Sequence, residues 1–241
     1  MRPARSHRSW LLTPCSDESA LMAARRSGAD ALILDLAAGG PDRMAVREMA
    51  ARFVEACGTS DPVPYVMIAS VGTAECDGDV RAITAARPAG LVLCRAGGGG
   101  DVTRLAALLA AAEADAGVED GATKILALAT DTPAAVLGLA TYAGASMRLA
   151  GLIWGPQRLR EELGSRAIED ESGTLTTLYA HVRNQCLISA AAAGVAAIDR
   201  AEPAAGAALA NACTAAWRDG FSGKIAVSPD QVTVMNAIFG D

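Results

Sequence analysis

Six charged side chains stand at or just after short apolar runs: Asp35, Arg95, Asp131, Arg158, Asp199 and Arg200. Carboxylates held at such points move protons, and guanidinium groups beside them grip a carboxylate or a phosphate through paired hydrogen bonds. Three acids facing three bases describe a self-neutralised polar mouth more than an open metal site. Asp131 and Arg158 admit two readings. Arg158, with Arg95, clamps an acid or a phosphate while Asp131 or Asp35 acts as base; or Asp131 and Arg158 form a structural ion pair across adjacent strands. Asp35 in turn is either that base or the group that closes its strand end with a backbone hydrogen bond.

Cys15 and Cys94 also follow apolar runs, but a reactive thiolate needs a basic partner. The two histidines, His7 and His181, fall outside the expected mouth, so these thiols read as small core groups. The glycine run Gly97–Gly100 precedes a helical pattern starting at Asp101. Backbone N–H groups there would suit a phosphate, yet Asp101 would repel an anion, and a flexible loop is the expectation.

These groups need a scaffold, and the chain spells one by alternation. Short apolar runs predict strands at Trp10–Thr13, Ala31–Leu36, Tyr65–Ala69, Gly90–Leu93, Ile125–Ala129, Gly151–Trp154, Val195–Ile198 and Lys224–Val227. Ala-rich segments of helical period predict helices at Asp17–Ser27, Asp42–Cys57, Glu75–Ala86, Asp101–Ala116, Pro133–Tyr142, Thr174–Ala193, Ala204–Asp219 and Pro229–Phe239. Pro133 and Pro229 suit first helical turns, Asp101 suits an N-cap, and Gly28 and Gly194 suit C-caps. Eight strand–helix units of about 30 residues fit a (β/α)8 barrel over 1–241 as a single domain, and its active site would lie at the C-terminal ends of the strands. An open doubly wound sheet usually needs fewer units.

Composition bounds the partners. With 51% hydrophobic but only 4% aromatic residues, the core must be built from Ala, Leu, Val and Ile. A net charge of −6 excludes the basic surface that nucleic acids require. The six cysteines are scattered without metal spacing, which fits a reducing, cytoplasmic compartment. Arg2, Arg5 and Arg8 imitate a signal-peptide start, but the apolar run after them stops at Pro14. The longest apolar stretch, Leu187–Ile198, is about half a membrane span, so no membrane partner is expected.

Three segments carry a resemblance: Arg8-Ser-Trp-Leu-Leu-Thr-Pro14, Gly28-Ala-Asp-Ala-Leu-Ile-Leu-Asp-Leu36, and Gly220-Phe-Ser-Gly-Lys-Ile-Ala-Val-Ser-Pro-Asp-Gln231. With the order and spacing of the units between them, the chain resembles the aldolase/citrate lyase β-subunit (HpcH/HpaI) family. That resemblance implies a (β/α)8 barrel, commonly a homotrimer. It further implies a lyase or aldolase that makes or breaks a carbon–carbon bond beside a carbonyl, on small keto-acids or acyl-CoA thioesters. Family chemistry uses a divalent cation and an Arg to stabilise an enolate oxygen.

Here the pattern is depleted. Leu-Asp-Leu-Glu-Asp after the second strand becomes Leu34-Asp35-Leu36-Ala37-Ala38, and the Arg of Val-Arg-Ile-Asn becomes Met67. Asp131 stands for a metal-binding Glu and is the only retained candidate ligand; Arg158 stands for the second metal ligand; Ser228 replaces a His. Asp199 stays compatible with the pattern. Arg8, Arg95, Lys224 and Met67 fall at positions expected to contact substrate. An Arg about 4 Å from Mg²⁺ costs on the order of 8 kcal/mol at an effective dielectric near 20. No metal is therefore expected, and CoA enters as part of a thioester substrate. The alternative is a barrel relative that no longer catalyses and serves for ligand binding or assembly.

Overall fold

The computed structural model describes residues 7–15, 17–37, 42–201 and 203–240; Arg2, Arg5 and Ala38, named above, lie outside them. Eight strands form a closed parallel barrel in sequence order: β1 (Ser9–Pro14), β2 (Ala31–Asp35), β3 (Val63–Ile68), β4 (Gly90–Leu93), β5 (Lys124–Leu128), β6 (Leu149–Ile153), β7 (Ala196–Asp199) and β8 (Gly223–Ala226). Closure comes from pairing β1 with β8, Trp10 opposite Ile225. Around them lie α1 (Glu18–Arg25), α2 (Arg43–Glu55), α3 (Ala74–Thr84), α4 (Gly99–Ala116), α5 (Pro133–Leu137), α6 (Gln157–Leu163), α7 (Thr177–Ala193), α8 (Gly206–Asp219) and α9 (Pro229–Ile238). No described helix is long and apolar enough to cross a membrane.

Strand side chains alternate between two apolar layers, as the two-residue period of a strand requires. Ile33, Val92, Leu126, Ile153, Ile198 and Ile225 fill the barrel interior. Their neighbours Leu32, Leu34, Leu91, Leu93 and Leu152 face the helices instead. At the N-terminal end the interior is capped by rings: Trp10 meets His7 and Tyr65 edge-on, with centroids 4.9 and 5.0 Å away. Gly90 is required there, because a Cβ would lie 2.6 Å from the Tyr65 ring and from the Lys124 carbonyl.

Helix starts follow the expected capping chemistry. Asp42, Thr73 and Thr132 accept from Ala45, Cys76 and Ala135 amides, and Pro133 and Pro229 open α5 and α9. Two expectations at the glycine run need correction. α4 begins at Gly99 with Gly98 as N-cap, and Asp101 lies inside its first turn, accepting from the Gly97 amide at 2.8 Å. The run is also no loose loop: a Cβ on Gly99 would stand 2.0 Å from the Thr141 carbonyl, so glycine is what lets α4 pack there. Gly194 does cap α7 in a left-handed conformation, whereas α1 is capped by Arg26, with Gly28 two residues further on.

Candidate functional site

A cavity of about 430 Å³ opens among the C-terminal strand ends. Its floor is apolar: Leu12, Met67, Leu128, Ile153 and Ile225 reach it from five strands and belong to the interior layer. Charged and polar side chains stand above them, with Arg43 at the start of α2, Glu75 at the start of α3, Arg95 after β4, Asp131 after β5, and Gln157 and Arg158 opening α6.

Alongside the fully buried Trp154, which also lines it, Asp131 is the buried charged group of this cavity, 4% exposed. Neighbouring threonines fix its height: Thr130 accepts from the Gly155 amide at 2.9 Å, and Thr132 caps α5. One oxygen, Oδ2, accepts the Arg95 amide at 3.1 Å. The other, Oδ1, is buried without a hydrogen-bond partner among the described residues. Burial raises its pKa to about 6, against the opposing pull of the Arg95 amide and the Arg158 and Arg95 charges. A carboxyl poised near neutrality with one oxygen free is equipped to give or take a proton.

The three guanidiniums are held differently. Arg43 is fixed: its Nε and Nη2 donate to Asp79 at 3.2 and 2.6 Å. Asp79, on α3, is fully buried, and also accepts Arg47 Nε at 2.8 Å and the Ala69 amide at 3.0 Å. One carboxylate thus ties α2, α3 and the end of β3 together and aims Arg43 over the floor. Arg95 has a left-handed backbone, φ 54°, which side chains rarely adopt. Its guanidinium lies 3.5 Å from Glu162 of α6. Arg158 is exposed, and no hydrogen bond or ion pair engages its guanidinium among the described residues. The structural ion pair between Asp131 and Arg158 therefore does not form; the two interact through space only.

Of the residues singled out from sequence, Asp131, Arg158, Arg95, Met67 and Cys94 line this cavity together. Five of the others do not: Asp35, Arg8, Lys224, Asp199 and Arg200. Asp35 accepts from the Ala37 amide at 2.8 Å and so closes its own strand end. Arg8 sits at the opposite end of the barrel, its guanidinium donating to both oxygens of Asp30 at 2.8 Å. Lys224 is buried and donates to Asp199 at 2.7 Å, while Asp199 also accepts Arg183 of α7 at 3.2 Å. This network lies between barrel wall and helices, because Ile198 and Ile225 take the inward positions beside Asp199 and Lys224. Burial would raise the Asp199 pKa, but Lys224 and Arg183 outweigh it and hold it low. Arg200 pairs with Glu169 in the segment after α6. The mouth of three acids and three bases is thus reduced to Asp131, Arg95 and Arg158.

Arg43, Glu75 and Gln157 were not anticipated. They open helices rather than close strands, and the anchor of Arg43 is a buried acid two elements away. Cys15 is a buried core thiol, whereas Cys94, expected to be one as well, is half-buried and lines the cavity; burial, with help from nearby Asp charges, raises both to about 12. Among the described residues no group of three or more His, Cys, Asp or Glu side chains is placed to hold a metal ion.

The architecture is that of a (β/α)8 barrel with a cationic, carboxyl-bearing cavity over its strand ends. The chain belongs to the HpcH/HpaI aldolase/citrate lyase family, whose pattern it matches over residues 8–229. It is 28% identical over 244 residues to a (3S)-malyl-CoA thioesterase from Cereibacter sphaeroides, covering 98% of this chain and 78% of that protein. Its fold matches protein CitE from Mycobacterium tuberculosis in complex with magnesium and acetoacetate, with a TM-score of 0.82 at 23% identity over 98% of this chain and 91% of that one. The same protein with magnesium, acetoacetate and coenzyme A gives 0.79 at 23% identity, over 99% and 82%.

Proposed function

We propose that the mouth binds a small carboxylic acid, as a keto-acid or as an acyl-CoA thioester, and carries out carbon–carbon lyase or aldolase chemistry of the family type without a resident Mg²⁺. One observation carries this reading: Asp131 Oδ1 is buried and unpartnered in a cavity that also receives Arg43, Arg95 and Arg158. A relative named for malyl-CoA and a fold neighbour holding acetoacetate and coenzyme A supply the ligand class. Asp131 Oδ1 takes the proton from the carbon beside the ligand's carbonyl, and Arg158 faces the oxygen on which charge develops. Family membership brings a divalent cation into question, and the donor set does not fit one. Mg²⁺ wants several hard oxygens; this cavity offers Asp131, with one oxygen already on an amide, and exposed Glu75, among three guanidiniums. Homotrimer formation belongs to the same reading and is measured by light scattering.

The same donor set favours a second reading, binding without turnover, since a guanidinium supplies less charge to an enolate oxygen than a divalent ion. Calorimetric titration of acetyl-CoA and of oxaloacetate, with and without Mg²⁺, tests both together with an assay for carbon–carbon cleavage or condensation. Binding without Mg²⁺ is expected, weakened about 10- to 100-fold by Arg158→Ala through loss of a charge-assisted bond. Binding that requires Mg²⁺, or that survives Arg158→Ala undiminished, refutes the metal-free clamp. Turnover separates the lyase from the non-catalytic binder.

A further inference from the structure

We infer that the ligand enters this cavity hydrocarbon end first, so that its acyl group is a short, unsubstituted aliphatic chain with the carboxylate or thioester carbonyl left at the cationic mouth. The inference rests on the acid-binding reading above and deepens it.

Polarity divides the cavity by height. Leu12, Met67, Leu128, Ile153 and Ile225 form the floor. None of them carries a hydrogen-bonding group stronger than a thioether, and the strand backbones beneath them are committed to the barrel ladder. The charged lining groups stand on residues that follow strands or open helices: Arg43, Arg95, Arg158, Asp131 and Glu75. Asp35, opposite Met67 in register, is not among the lining residues and accepts from the Ala37 amide. Trp154 also lines the cavity, with a buried Nε1 that has no hydrogen-bond partner among the described residues, but it packs in the helix-facing layer and not with the floor. A second carboxylate or a keto oxygen pushed among the floor side chains would lose its water and meet no donor there, which is strongly unfavourable. A methylene chain loses nothing there and gains by leaving water.

Two details place the head of the ligand. Asp131 lies three residues beyond the floor residue Leu128, and its Oδ1 is a buried acceptor without a hydrogen-bond partner among the described residues. Arg158 carries no competing ion pair among the described residues and remains available to a carbonyl or carboxylate oxygen. Below them Met67, unbranched and polarisable, adapts to chains of different length or branching. A volume of about 430 Å³ lies within the range of small-ligand sites.

The test is a chain-length series measured by calorimetry on the purified protein: acetate, butanoate and hexanoate, the matching acyl-CoA thioesters, and oxaloacetate as a four-carbon keto-diacid. Affinity is expected to rise about fourfold per added methylene until the floor is covered, and butanoate is expected to bind more tightly than oxaloacetate. A slope present only among the thioesters assigns the mouth to coenzyme A, and one among the free acids assigns it to a carboxylate; both support the inference. Met67→Arg should flatten the slope and Met67→Leu preserve it. If Met67→Arg does not fold, Leu128→Gln gives the same readout. A flat series, or oxaloacetate bound more tightly than butanoate, overturns the tail-first orientation while leaving acid binding intact. Failure of every acid and thioester to bind removes the acid-binding reading and this inference with it.

Discussion

Asp79→Ala is the substitution whose cost is best defined by the structure. The carboxylate is fully buried and accepts from Arg43 twice, from Arg47 and from the Ala69 amide, at 2.6 to 3.2 Å. Breaking a buried ion pair by removing one partner costs roughly 3–5 kcal/mol when the survivor stays buried. Here the Arg43 and Arg47 side chains are 23% and 20% exposed and can recover part of their hydration. The half-buried Ala69 amide recovers less. The low end of the range therefore applies, about 3 kcal/mol, which for a chain of this size lowers the melting temperature by roughly 6–12 °C. Urea unfolding should show a lower midpoint at unchanged slope. Because Arg43 lines the cavity, acid affinity should fall as well, and Arg43→Ala combined with Asp79→Ala should be less than additive. A loss under about 1 kcal/mol, or full additivity, would show that Asp79 neither joins the helices nor aims the guanidinium.

Two further outcomes follow from single residues. Asp131 binds its proton more tightly folded than unfolded, its pKa being raised from 3.8 to about 6. Its contribution is thus fully present below pH 4 and is lost as pH rises towards 6, up to about 3 kcal/mol in all. Asp131→Asn should accordingly be more stable than wild type at pH 7.5 and not at pH 4; parallel stability–pH curves would contradict this. Arg95→Gly should relieve a left-handed backbone at a cost only in unfolded-chain entropy, for a net gain of about 1 kcal/mol in chemical denaturation. The half-exposed pair with Glu162 contributes little. The same variant should bind acids more weakly, and a protein destabilised by it would show that the strain is not there.

The barrel was legible because strand signals are local. Runs such as Ala31-Leu-Ile-Leu34 are apolar on both faces, as a strand between interior and helices must be, and their observed bounds fall close to the expected ones. Asp199 and Lys224 were misplaced by reading strand ends without the two-residue alternation: with Ile198 and Ile225 inward, their neighbours must face the helices. Helix α6 was missed because its seven residues bury only Leu159 and start on Pro156 without a side-chain cap. The next helix starts at Thr177 rather than Thr174, since Asp170 and the Glu169–Leu175 bridge hold that segment in a turn. Arg43 was invisible for a different reason. Nothing local in Cys76-Asp-Gly-Asp79 says which acid is buried or that two arginines of another helix will converge on it.

That difference in legibility has a physical consequence for the site. The floor is made of interior residues that the fold needs for its own packing, so its apolar character is inseparable from the barrel. The cationic mouth is added by residues that open helices or follow strands, and these differ in how firmly they are built in. Arg158 sits on a short helix, exposed and uncommitted among the described residues, so its removal should change binding with little effect on stability. Arg43 is welded through Asp79 to two helices and a strand end, so its loss must affect both. Under the proposed acid-binding function, a ligand meets a rigid cation in Arg43 and an adjustable one in Arg158, with Arg95 beside them, above a fixed apolar floor. Such an arrangement tolerates variation in the oxygenated head of the ligand more readily than a polar group on its tail.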